Sequence, residues 1–228
     1  MKPLLSKTQD SEALQTLGRA SLQIVHDLKN QLNGLKLYAT FLRRRLEKKE
    51  LLDDEKETLD KLNAGLERAA ADLATLLHYG QPVEPKRQPG VDLQKLINGM
   101  ISSVPNGSVG DGLNRSIETE AAVSSFAGDF DPVLLTEALK SITLGALKLR
   151  RNKNGGEQIR VQLKRMASAG QATAVVEWQG LDLLDHDPFR SFAGGEEIKM
   201  SLAAKIVEAH GGSAGLSDFG LRVILPLK

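Results

Sequence analysis

His26 and Asn30 stand four residues apart in the stretch Ile24-Val25-His26-Asp27-Leu28-Lys29-Asn30-Gln31-Leu32-Asn33-Gly34-Leu35. On a helix that spacing puts an imidazole and a carboxamide on one face. Imidazoles titrate near neutrality, so an unprotonated ring nitrogen is present at ordinary pH and can act as a nucleophile. Asp27 supplies an adjacent carboxylate that can orient the ring or accept a proton. Asn30 and Lys29 add a carboxamide and an ammonium group on the same stretch, able to hydrogen-bond and to offset negative charge. Asn33 and Leu37 continue the outward side of the helix. An apolar Leu37 there is out of place on a solvated face and expected on a docking surface. A lone histidine on a helix is ordinarily just solvated; what sets His26 apart is its register against the elements around it.

Those elements follow from apolar spacing. Val25, Leu28, Leu32, Leu35, Ala39, Leu42 and Leu46 alternate steps of three and four, a heptad seam, and His26 lies one residue off it. The pattern runs without proline from about residue 11 to 49, which predicts a helix of roughly 55 Å. After a mixed-charge turn around residues 48–54 a second seam appears at Leu59, Leu62, Leu66, Ala69, Leu73 and Leu76. Two long helices with a short connection make an antiparallel hairpin. Since such a hairpin cannot bury both sides of its seam, two copies are expected to pair into a four-helix bundle. Three prolines and two glycines between residues 78 and 91 break the periodicity. The domains are therefore read as a hairpin over residues 1–80, a linker over 81–91 and a second domain over 92–228.

In the second domain the spacing predicts helices over residues 92–102, 132–149 (capped by Asp131) and 198–209, the last stopped by Gly211-Gly212. Strands are predicted near residues 115–120, 158–165, 172–178, 213–217 and 221–226. Helices interleaved with adjacent strand pairs indicate an α+β sandwich. The 228 residues carry a net charge of +1, which gives no reason to expect nucleic acid or an anionic membrane as partner. With no cysteine, thiolate metal sites and cysteine nucleophiles are excluded. His78, His186 and His210 do not space like a metal ligand set, and His210 is read as serving helix termination and packing. The Arg43-Arg44-Arg45 run is followed closely by acidic residues and reads as a solvated face. No apolar run reaches the roughly 18 residues of a membrane span, and a cytoplasmic location is expected.

The residues His26-Asp27-Leu28-Lys29-Asn30-Gln31-Leu32 resemble the H-box of sensor histidine kinases. Leu202-Ala203-Ala204-Lys205-Ile206-Val207-Glu208-Ala209-His210-Gly211-Gly212 and the ending Gly220-Leu221-Arg222-Val223-Ile224-Leu225-Pro226-Leu227 are similar to that family's second glycine-box helix and last strand. The resemblance covers nearly the whole chain. It implies a dimeric four-helix bundle carrying the phosphorylatable histidine, followed by an α/β sandwich of the GHKL ATPase type.

In that register the nucleotide motifs are missing. Ser141 and Gly145 fall where the family has two asparagines, one of them a magnesium ligand, and glycine offers magnesium no oxygen. Trp178 stands where an adenine-contacting aspartate is expected, and Asp182 replaces the box's second glycine. Glu197-Ile198-Lys199-Met200 replaces the glycine turn whose backbone N–H groups would cradle phosphate. The resemblance therefore shifts toward degenerate relatives, the ChpT-like histidine phosphotransferases, although the H-box wording is nearer that of true kinases. It implies transfer of phosphoryl groups through His26 to or from aspartates of response-regulator receiver domains, without ATP. In that reading His26, Asp27 and Asn30 carry the chemistry, and Lys29, Asn33 and Leu37 meet the partner. The same resemblance implies that the chain binds no cofactor or metal of its own, magnesium being supplied by the receiver, and that it works as a homodimer without nucleic acid or membrane. A divergent but active sensor histidine kinase and a non-catalytic scaffold are the alternatives.

Overall fold

Heptad spacing in the first segment does produce helix. The computed structural model describes residues 21, 25–26, 28–44, 53–104, 113–119, 125–152, 158–168, 171–181, 186–192, 195–218 and 220–228. Residues 28–44 form α1, and α2 spans Asp53–Gly80. Lys36 lies 3.0 Å from Glu67 and Arg43 lies 3.7 Å from Asp60, so partners ascend α1 while descending α2 and the helices are antiparallel. These exposed pairs fix register more than they stabilise. Ala39 and Leu59 are buried, whereas Leu28, Leu35, Leu42 and Leu62 stay between 44% and 53% exposed. Within one chain the seam is covered on one flank only. No helix among the described residues is long and apolar enough to cross a membrane.

The chain divides into two compact units, Met1–Pro82 and Val83–Lys228. The second unit runs β1 (Gln88–Asp92), α3 (Leu93–Ser103), β2 (Leu113–Thr119), β3 (Ala127–Phe130) and α4 (Pro132–Asn152). It continues with β4 (Ile159–Ser168), β5 (Gln171–Gln179), α5 (Gly195–Ala209), β6 (Ser213–Ser217) and β7 (Gly220–Pro226). The main sheet has the order β2-β4-β5-β7-β6. β2 pairs parallel with β4, and the other pairs are antiparallel. This is the α+β class expected. Period-two alternation sends Ile159, Val161, Leu163, Ala174, Val176, Trp178, Leu221, Val223 and Leu225 into one core. There they meet Ile97 of α3, Leu139 and Ile142 of α4, and Val207 of α5.

Three local features define the ends of the helices. Asp92 caps α3 by accepting from the Gln94 and Lys95 N–H groups at 3.0 and 3.3 Å. Asp131 caps α4 by accepting from Val133 and Leu134 at 3.0 and 3.1 Å. Burial pushes the Asp131 carboxyl up, but the N–H groups of Leu134, Lys86 and Val133 outweigh it and hold the group below its ordinary range. At the end of α5, Gly211 takes φ +82° and the Gly212 N–H reaches the Val207 carbonyl at 3.1 Å. A Cβ on Gly212 would sit 2.2 Å from the Ile224 carbonyl oxygen, so a side chain would not fit there.

Two expectations are corrected. The segment 81–91 does not remain a linker to its end, because Gln88–Asp92 pairs antiparallel with Ala127–Phe130. Pro89 and Gly90 argue against a strand in isolation, and backbone pairing in a two-stranded ribbon overrides them. The other correction concerns α5, which begins at Gly195 rather than Ile198, with Glu196 and Glu197 in its first turn, where the helix dipole favours carboxylates.

On the face of the sheet away from the helices, Glu177 lies between Gln162 on β4 and Arg222 on β7. Arg222 grips its Oε1 through Nε at 2.8 Å and a terminal nitrogen at 2.7 Å, while Lys164 Nζ lies 3.4 Å from Oε2. Burial raises the Glu177 carboxyl, and the Arg222 guanidinium and Lys164 ammonium more than reverse that, leaving it below its ordinary 4.5. Its stabilising contribution is complete above that unfolded value and lost as pH falls through the folded one. Glu177→Gln is expected to cost about 1–2 kcal/mol at neutral pH in urea titrations. It should also flatten the decline in stability on acidification, as repeated titrations down the pH scale would show.

Candidate functional site

His26, a helical residue ahead of α1, is exposed, and the Asn30 carboxamide nitrogen lies 3.4 Å from its Nδ1. A carboxamide can serve either neutral tautomer of the ring. Its N–H donates to an unprotonated Nδ1; turned over, its oxygen accepts from Nδ1–H and leaves the Nε2 lone pair for an incoming electrophile. Either way Asn30 engages Nδ1. Asp27, also expected at this site, lies outside the described residues. Lys29, three residues on from His26 and so its neighbour around the helix, is half-buried.

Asn33 is exposed and Leu37 is 55% exposed, both on the His26 side of α1. Phe41, four residues beyond Leu37 and 58% exposed, extends the same stripe and was not singled out in the sequence. The i, i+4 spacing from Leu37 was the signal for it. Phe41 also borders an apolar groove of about 530 Å³ whose walls include Leu35, Tyr38, Leu42, Leu62 and Leu66. The exposed apolar surface of the hairpin is thus continuous from the flank of the seam to the stripe below His26.

A different chemistry is found in the α/β unit at the positions that the resemblance assigns to nucleotide contact. Trp178 is fully buried, and its indole N–H donates to Thr143 Oγ1 at 2.8 Å. Thr143 in turn donates to the Leu139 carbonyl at 2.8 Å, so the indole's single donor and the hydroxyl are both satisfied without water. Met200, 1% exposed, packs on α4 so closely that a Cβ on Gly145 would lie 2.3 Å from its sulfur. Glu197, Ile198, Lys199 and Met200 are helical residues of α5 rather than a turn. Glu197 Oε1 lies 3.2 Å from His186 Nε2, and its other oxygen accepts from the Ser191 hydroxyl. Phe189, in the short 3-10 turn Pro188–Arg190, is buried in the same core. Asp182 lies outside the described residues, and Ser141 is half-buried on α4.

His210, read as a packing residue, is buried with both ring nitrogens engaged: Nε2 accepts from the Asp131 N–H at 3.0 Å and Nδ1 donates to the Ile206 carbonyl at 2.8 Å. Among the described residues no group of three or more histidines and carboxylates is arranged to hold a metal ion.

No protein-family model matches this sequence, and no curated protein does either. Solved structures match by shape. The crystal structure of full-length ShkA in complex with AMPPNP superposes with a TM-score of 0.61 over 91% of this chain, at 18% identity. The chain spans 45% of ShkA. The Acinetobacter baumannii histidine kinase AdeS superposes at 0.51 over 83% of this chain and 94% of its own, at 15% identity. The chain has a histidine-kinase-like fold, and identities this low carry the fold alone.

Gly145→Ala is expected to destabilise the protein by about 1–3 kcal/mol in chemical denaturation, because the new methyl meets Met200. Combining it with Met200→Ala should recover part of the loss that the two single variants add up to. Strict additivity in that cycle would show that the two positions do not share the space.

Proposed function

We propose that this chain is a histidine phosphotransferase of a two-component phosphorelay, passing phosphoryl groups through His26 between receiver-domain aspartates without using ATP. The observation that carries the reading is the buried Trp178–Thr143 pair with Met200 against Gly145, which fills with side chains the positions where the histidine-kinase-like fold would be read to hold adenine and phosphate. The hairpin, residues 1–80, is the transfer and dimerisation element; residues 92–228 form a degenerate ATPase-like unit that docks receivers or stabilises the dimer.

In the transfer, the Nε2 lone pair of His26 attacks the phosphorus of a receiver's phosphoaspartate. The bond from phosphorus to the acyl oxygen breaks as the N–P bond forms, and the carboxylate leaves with the electron pair. Asn30 holds the Nδ1 proton through its carboxamide oxygen, which favours the tautomer that attacks. A second receiver's carboxylate then takes the group by the reverse displacement. The receiver's own Mg2+ neutralises the moving charge, as phosphoryl transfer requires. Asp27 orients or deprotonates the ring, Lys29 offers weaker charge support, and Asn33 and Leu37 contact the receiver. A relay between receivers places the protein in the cytoplasm.

The half-covered seam supports a homodimer. A second hairpin laid against Leu35, Tyr38, Leu42, Leu62 and Leu66 would bury apolar surface that one chain leaves in water. Sedimentation at micromolar concentration is expected to give a dimer, and Leu35→Glu with Leu62→Glu a monomer. A wild-type monomer under those conditions would count against the bundle.

The decisive experiment incubates the protein separately with labelled ATP and with a labelled, phosphorylated receiver. Label should reach wild type only from the receiver, and His26→Ala should take none. Labelling from ATP on His26 would make the chain a divergent kinase. A His26→Ala variant with full signalling activity would make it a scaffold.

A further inference from the structure

The segment that joins α2 to the α/β unit is fastened to that unit by three separate contacts before β1 begins. Val83 packs against the core. The Lys86 N–H donates to Asp131 Oδ2 at 2.8 Å, and the Arg87 guanidinium donates to the Ala209 carbonyl, one of the orphan acceptors at the end of α5, at 2.8 Å. Asp131 divides its oxygens: Oδ1 caps α4 through Val133 and Leu134, and Oδ2 serves the segment alone. His210 accepts from the Asp131 N–H and donates to the Ile206 carbonyl. It thereby fixes the residue that holds the segment to the helix whose last carbonyls receive Arg87.

We propose that residues 83–87 are a releasable strap that sets the length of the tether between the hairpin and the α/β unit, with Asp131 Oδ2 and the Ala209 carbonyl as its two fastenings. With the strap seated, the Gln81 N–H still donates to the His78 carbonyl at the end of α2, and only Pro82 separates it from the first residue packed on the α/β core, Val83. With it lifted, the chain released runs from Pro82 to Arg87, roughly 20 Å when extended. The effective concentration of one unit around the other falls as the tether lengthens. Release exposes little apolar surface, because Val83 and Pro85 are only half-buried and Glu84, Lys86 and Arg87 are already exposed. The strap therefore opens far more readily than the unit unfolds.

Asp131→Asn separates the two jobs of this side chain. Its retained oxygen can still cap α4, while its amide N–H₂ would face the Lys86 N–H in place of an acceptor. In the full-length protein, hydrogen exchange should show the Lys86 amide protected in wild type. In Asp131→Asn it should exchange about tenfold faster or more, with Leu134 protection and the thermal midpoint kept. A Lys86 amide exchanging at the rate of an unstructured peptide in wild type would overturn the proposal. So would one unaffected by Asp131→Asn while the cap persists. If the variant also loses the cap, Arg87→Ala decides, since it touches neither cap nor core. Tryptic cutting after Lys86 should then quicken several-fold, and an unchanged rate would overturn the strap.

Discussion

A layer of helices lying over a sheet cannot leave a gap between them, and in this protein the gap is closed by one hydrogen-bonded indole. Trp178, next to last in β5, brings the largest side chain available into the core, and burying it requires a partner for its N–H. Thr143, one turn along α4 from Leu139, is that partner while giving its own proton to the helix backbone. Around this pair the rest of the unit becomes explicable. α4 needs a glycine at position 145 because Met200 comes in from α5. α5, helical from Gly195, carries Met200 on its buried face, and the 3-10 turn before it adds Phe189 to the same core.

Much of this was legible in the residues. The Asp131 cap, the alternation in β4, β5 and β7, and the Gly211-Gly212 stop each depend on local chemistry that a sequence displays directly. β1 was not legible, since Pro89 and Gly90 speak against a strand and only the pairing with residues 127–130 creates one. The early start of α5 was displaced by reading Glu197 to Met200 against a turn motif. The plain residue types, two glutamates ahead of an apolar run, describe a helix N-terminus. At the histidine face, the His26–Asn30 spacing was enough to bring the two groups together. The place of Phe41 was hidden because the heptad seam drew attention to the opposite flank of α1.

The two units solve their polar problems in contrasting ways. In the hairpin the charges sit at the surface as exposed ion pairs between α1 and α2, and the apolar seam is left half-covered. In the α/β unit several polar groups that enter the interior are engaged within it: Glu177 under Arg222 and Lys164, His210 between Asp131 and Ile206, and Thr143 beneath Trp178. One unit is complete as a single chain, and the other presents surface for something else to cover.

The contact of Met200 with Gly145 has a consequence for what this sequence can become. Any single step that would make room for a ligand here leaves either a void or a collision. Shortening Trp178 leaves a void and takes a donor from the Thr143 oxygen, trimming Met200 opens a hole above α4, and restoring a side chain at 145 strikes Met200. Each intermediate is less stable than its parent before any new capability appears. The interior is in that sense a ratchet.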